Sequence, residues 1–250
     1  YSGGFNGHNA VFFLSPAPDF NNAFAAGVQP VSTNPAASFN YTLTGLAAPA
    51  TYYLAAFYDV ADQFSGGNPP PGVPFGFFRN AADGSTLQIQ PIFVPAGGVA
   101  TGVDLQLAFD TQAPSIAVVA PVSGSTITAG LFDLSGTASD NVGIIELRVG
   151  VYDITADKWW NSNGGSFSTA LSTPVYGVSV QRSGPINAFS WSLTGNNLAN
   201  LRGALQAGHA YRVLANVQDL ANNAAAFESV FNIQSSTPVG NAALFGRMLA

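Results

Sequence analysis

Apolar residues in this chain come in short runs, and a turn-forming residue closes nearly every one. Ala10-Val11-Phe12-Phe13-Leu14 stops at Ser15-Pro16, and Thr51-Tyr52-Tyr53-Leu54-Ala55-Ala56-Phe57-Tyr58 stops at Asp59. Runs of this length between turn signals fit strands, and their aromatic content suits a pleated, half-buried surface. With 27 glycines and 16 prolines, no long stretch of Ala, Leu, Glu or Lys remains in which a helix of several turns would sit. The expected class is all-β.

Further strands are expected at 39–43, where apolar and polar residues alternate, and at 87–90, 92–94 and 103–109. The segment Asp110-Thr111-Gln112-Ala113-Pro114 then interrupts the pattern, and a second rhythm begins. Its strands are expected at Ser115–Ala120, 131–136, 144–152, 175–180, 189–193, 211–217 and 225–233, with a helical turn within 197–206. A chain of 250 residues divides naturally into two cores of ordinary size, each large enough to stand without metal or disulfide. The expected organisation is two tandem β-sandwich domains over 1–109 and 115–234, a linker at 110–114 and a tail at 235–250.

Only 8% of residues are charged, against about 25% in an average soluble domain. A surface so poor in charge suits a chain whose faces are shared with neighbours or covered by glycans; the alternative is that Ser, Thr, Asn and Gln solvate it. The net charge of −6 argues against a nucleic-acid partner. The lack of cysteine points to an exported chain, extracellular or at a cell surface. No run of about 18 apolar residues is present, so no membrane span is expected.

Thr44-Gly45-Leu46 followed by Thr51-Tyr52-Tyr53-Leu54-Ala55-Ala56-Phe57-Tyr58-Asp59 resembles the turn-and-strand signature of transthyretin-like (carboxypeptidase-regulatory, CnaB-like) β-sandwiches of bacterial surface proteins. The resemblance implies an Asp/Asn/Gly-rich loop next, and here Asp59, Asp62 and Asn68 offer it side-chain oxygens. It also implies a complete first strand ahead of a Tyr-Ser-Gly turn, whereas the sequence starts at Tyr1-Ser2-Gly3-Gly4. A sandwich lacking a strand exposes unpaired backbone and apolar interior, so something is expected to fill the gap.

The second half carries Asp110-x-x-x-Pro114, Ser135-Gly136-Thr137-Ala138-Ser139-Asp140-Asn141-Val142-Gly143, Trp191, Gly208-x-x-Tyr211 and Asp219-Leu220-Ala221-Asn222-Asn223. In that order they resemble bacterial immunoglobulin-like repeats of large secreted and surface proteins. Asn222 stands where that pattern has Gly; Asn tolerates a positive φ. An immunoglobulin-like topology implies that the linker, the second-to-third strand loop and the last hairpin loop share one pole. Asp110, Asp140 and Asp219, with Asn222, are then candidate ligands for calcium at the junction. The alternative is that each Asp caps its own turn.

Trp159 and Trp160, in a segment expected to form an exposed hairpin tip, are candidates for stacking on sugar rings; ordinary packing is the competing expectation. His8 and His209 are far apart in sequence and show no metal-binding or nucleophile spacing, so no enzyme activity is expected. The tail holds Ala243-Leu244-Phe245-Gly246-Arg247-Met248-Leu249, apolar residues without a place in their own sandwich. Such a segment is expected to be disordered, to begin a following module, or to add as a strand to a neighbour's open sheet. The expected assembly residues are Tyr1, Val11 and Phe13 on the accepting side and Leu244, Phe245, Met248 and Leu249 on the donating side. The expected function is a structural subunit of an extracellular filament or repeat-built surface protein, binding copies of itself or neighbouring modules head to tail. The alternative is an adhesive module that binds surface glycans.

Overall fold

The computed structural model describes residues 5–31, 38–66, 69–70, 72–79, 89–169 and 174–235. Among the described residues the fold is all-β, built from sheets that are antiparallel except where 232–233 pairs 126–127, with one α-helix. Among the described residues, strands pair only within 9–94 or within 115–233. No helix among them is long and apolar enough to cross a membrane.

The first half is one five-stranded sheet: β1 (Asn9–Ser15), β2 (Phe24–Pro30), β3 (Ala50–Asp59), β4 (Phe75–Phe77) and β5 (Pro91–Val94). The order is β2-β1-β3-β4, with β5 pairing the start of β3. Period-two alternation gives the sheet two apolar faces. Ala10, Phe12, Leu14, Leu54, Ala56 and Tyr58 build one, and Val11, Ala55, Phe57, Phe75 and Phe77 build the other.

Strands expected at 39–43 and 103–109 are extended but form no ladder; Ala108 makes a single bridge to Phe75. Phe39, Tyr41 and Leu43, and Val103, Leu105 and Leu107, still turn inward alternately and cover the first apolar face. Apolar burial at every second residue needs no ladder partner. Conversely β2 was missed: Phe-Ala-Ala-Gly-Val-Gln-Pro has little β-propensity and lies half-exposed at the sheet edge. The expected strand at 87–90 falls largely outside the described residues, as do Tyr1 and the tail residues Leu244, Phe245, Met248 and Leu249.

The second half encloses one core between two sheets. One runs β11 (Ser166–Thr169), β10 (Lys158–Asn161), β9 (Ile144–Asp153), β14 (Ala210–Asp219), β15 (Ala224–Ile233) and β7 (Thr126–Ile127). The other runs β12 (Gln181–Ser183), β13 (Ala188–Ser192), β8 (Ser135–Ser139) and β6 (Ser115–Ala120). The helix α1 (Gly195–Ala204) precedes β14. Strict alternation along β14 buries Tyr211, Val213, Ala215 and Val217 against Phe132, Trp191 and Phe231. Gly136 is required: a Cβ there would lie 2.2 Å from the Trp191 ring and 2.1 Å from the Ala117 carbonyl oxygen.

Candidate metal centre

The alternation that builds the core also buries two carboxylates at its end. Asp219 closes the inward series 211, 213, 215, 217 of β14 and is fully buried. Asp140 continues the inward parity of Gly136 and Ala138 one step past β8 and is 6% exposed. The Leu220 amide donates to the Gly143 carbonyl at 3.1 Å, tying the two loops together. Asp110 arrives from the linker, and its Oδ1 accepts from Asn141 Nδ2 at 3.0 Å. One carboxylate oxygen from each of Asp110, Asp140 and Asp219 lies within 4.8 Å of the other two. The expected convergence of these residues is therefore present.

Local capping accounts for part of this geometry and leaves the rest unexplained. Asp140 Oδ1 accepts the Val142 and Gly143 amides at 2.9 and 2.8 Å. Asp219 Oδ1 accepts those of Ala221 and Asn223, both at 2.8 Å, and its Oδ2 accepts Asn223 Nδ2 at 2.9 Å. Asp110 Oδ1 also accepts the Gln112 amide at 3.0 Å. Yet Asp110 Oδ2, Asp140 Oδ2 and Asn141 Oδ1 are shielded from solvent and find no donor among the described residues. Buried acceptors are ordinarily paired, because an unmet one costs about 1–3 kcal/mol.

Burial raises the Asp140 pKa; the Val142 and Gly143 amides oppose that, and the neighbouring Asp110 and Asp219 charges add to it. Asp219 is raised by burial as well, with Asp110 contributing. Nearby stands Arg79, whose guanidinium donates to the Asn141 carbonyl and whose own pKa is lowered by burial and lifted by Asp140. One cation of this type offsets part of the carboxylate repulsion but supplies no donor to the three orphaned oxygens. An all-oxygen cluster with no nitrogen or sulfur suits a hard divalent ion.

Three expected residues need correction. Asn222 has the expected positive φ, 69°, but is exposed, and its Oδ1 accepts from Gln218 Nε2 at 3.0 Å. The amide that reaches the cluster from this turn is Asn223, which also donates to the Gln112 carbonyl at 3.3 Å. A left-handed residue turns its side chain away from the loop interior, and the next residue points in. Trp159 and Trp160 do not sit on an exposed tip: they are 5% and 3% exposed. The two rings lie on opposite faces of β10: Trp160 packs in the core against Phe167, and Trp159 is covered on the other face by Tyr152. Neither ring is available to a sugar.

The accepting side is corrected by one residue of parity. β1 is hydrogen-bonded to β2 and β3 on both edges. Val11 is buried and Phe13 half-buried on the face that meets Val142 and Leu220 of the second half; Ala10, Phe12 and Leu14 face the other way. In the expected Asp59 loop, both carboxylate oxygens accept backbone amides, of Gln63 and Phe64. Asp62 pairs with His8 there, and Asn68 lies outside the described residues.

The junction itself is apolar around the carboxylates. Val142 and Leu220 pack with Phe57, Phe75 and Phe77, and the Pro18 carbonyl accepts the Ile186 amide at 2.9 Å. Arg79 and Asn223 were missed in the sequence; Asn223 closes an Asp-x-x-x-Asn loop that hints at its role, whereas Arg79, 62 residues from Asn141, gives no local signal. No protein-family model matches the chain, and no curated protein matches it significantly.

Proposed function

We propose that this chain is an architectural unit of an extracellular or cell-surface protein, in which a calcium ion fixes the angle between two β-sandwich bodies. The bodies are transthyretin-like and immunoglobulin-like in this reading. The observation that carries it is the set of donorless buried oxygens on Asp110, Asp140 and Asn141, gathered with Asp219 where linker and loops meet. Calcium takes six to eight oxygen ligands at flexible geometry. The three carboxylates and Asn141 Oδ1 supply protein ligands, and water completes the shell. The apolar contact of Phe77 with Gly143 and Leu220 beside them gives the ion a stiff frame.

Low surface charge and the lack of cysteine support the extracellular placement. The burial of Trp159 and Trp160 removes the basis for glycan stacking, so the structural reading is preferred. Titration calorimetry and small-angle scattering, each in calcium and in chelator, test it. Calcium should bind one to one and narrow the spread of distances between the halves. No heat of binding, together with identical scattering in the two buffers, overturns the reading.

A further inference from the structure

Among the described residues, the second layer of the first half has a gap along its middle. Segments 39–46 and 97–104 form the walls of a cleft of about 720 Å³, whose floor is Leu14, Tyr52, Leu54 and Ile92 of the central strands. One wall lies under the β2 side, where Leu43 touches Gly27 and Gln29 Nε2 donates to the Asn40 carbonyl. The other lies under the β4 side, where the Gln106 carbonyl crowds Gly76. Among the described residues, 41–46 and 99–106 make no backbone–backbone hydrogen bond. The Tyr41 hydroxyl reaches the Val103 carbonyl from one wall to the other. Left-handed glycines at 45, 97 and 102 bend the walls, and the unladdered backbone between them, over an apolar floor, is a template for one added strand.

We propose that this cleft receives residues 242–250 of a second copy of the chain, laid in as a strand. The inference rests on the architectural reading above and names its partner surface. Two features select this occupant. First, the parity matches: in an extended 242–250 segment, Ala242, Leu244, Gly246, Met248 and Ala250 share one side, while Phe245, Arg247 and Leu249 share the other. The apolar side suits the floor. Second, among the described residues Asp104 is the single charged one lining the cleft; it is exposed, on the outward side of a wall whose Val103 and Leu105 turn inward. Arg247, the single charged residue of the tail, falls on the outward side of the added strand, where a cross-strand ion pair with Asp104 forms.

Chain length selects a second copy over the chain's own tail. β15 starts beside the junction turn and runs ten residues away from it, about 31 Å. The cleft lies on the opposite face of the first sheet from the junction, about another 10 Å away through the layer. The nine steps from Ile233 to Ala242, fully extended, span at most about 32 Å, short of the roughly 40 Å required. The tail of the same chain falls short, and donation therefore runs from copy to copy, a heterologous contact that propagates.

Sedimentation velocity on the full chain tests this with two charge reversals, Asp104→Arg and Arg247→Asp. The unmodified chain should associate as concentration rises, and each variant alone, setting like charges together, should associate about tenfold more weakly. An equimolar mixture of the two variants should restore association, because each head then meets a tail of opposite sign. A full chain that stays monomeric at high concentration, reversals without effect, or a mixture that fails to recover overturns the proposal. Both variants should retain the calcium response of the junction. An unmodified chain that keeps the calcium response yet stays monomeric fails only the strand donation; one that associates with the expected charge dependence yet lacks the response fails only the junction.

Discussion

Replacing Asp140 by Asn separates a cation site from a set of turn caps, because the two readings predict opposite signs. Asparagine keeps an Oδ1 to accept the Val142 and Gly143 amides, so the cap survives while the charge is removed. At separations within 4.8 Å, two carboxylates repel by about 3 kcal/mol at an effective dielectric of about 20. Asp110 is half-exposed and Arg79 lies close, so solvent and counter-charge reduce the net relief to about 1–2 kcal/mol. In chelator, Asp140→Asn should therefore raise the melting temperature by about 2–8 °C for a chain of this size. In calcium at about a hundred times its dissociation constant, the unmodified protein gains about 2.7 kcal/mol that the variant forfeits. The ranking of the two proteins then inverts. Differential scanning calorimetry in the two buffers reads this directly. A variant that shifts melting equally with and without calcium means that Asp140 is only a cap, and the electrostatic reasoning fails.

Acidity gives a second expectation. Asp140 and Asp219 have native pKa values raised above the unfolded value of about 3.9, so the folded state binds more protons through that window. In chelator, their contribution to stability should be present at low pH and fall as pH rises from about 3.9 through the raised native values. Calcium should abolish or reverse that slope, since the ion requires deprotonated ligands. Urea midpoints of the unmodified protein and Asp140→Asn, compared across pH, isolate the effect; parallel profiles in chelator refute it. At the contact between the halves, Gly143 has φ +127°, and a Cβ there would sit 3.3 Å from the Phe77 ring and 3.4 Å from Leu220. Gly143→Ala should lower stability by about 1–3 kcal/mol through strain and overpacking. An unchanged denaturation midpoint would show that this contact is loose.

Period-two patterning made much of this fold legible in advance. The runs ending at Ser15 and Asp59 are β1 and β3, and 115–120, 144–152, 211–217 and 225–233 fall within β6, β9, β14 and β15. In each, alternate or continuous apolar side chains and a turn residue suffice, because burial of one face is a local demand on every second position. The grouping of Asp110, Asp140 and Asp219 came from the immunoglobulin-like resemblance, which puts the linker and two loops at one pole; the inward parity of Asp140 and Asp219 belongs to the folded strands. Patterning does not report what lies across the layer. Segments 39–43 and 103–109 satisfy the alternation and yet have no ladder, because hydrogen-bond pairing depends on a neighbour that local sequence does not contain. The burial of Trp159 and Trp160 follows from rings that cover each face of β10, the exchange of Asn222 for Asn223 follows from one left-handed residue, and Arg79 reaches the cluster from another part of the chain. Alternation is a property of consecutive residues and can be read along the chain; donors, counter-charges and vacant edges are properties of distance, which only the folded arrangement sets.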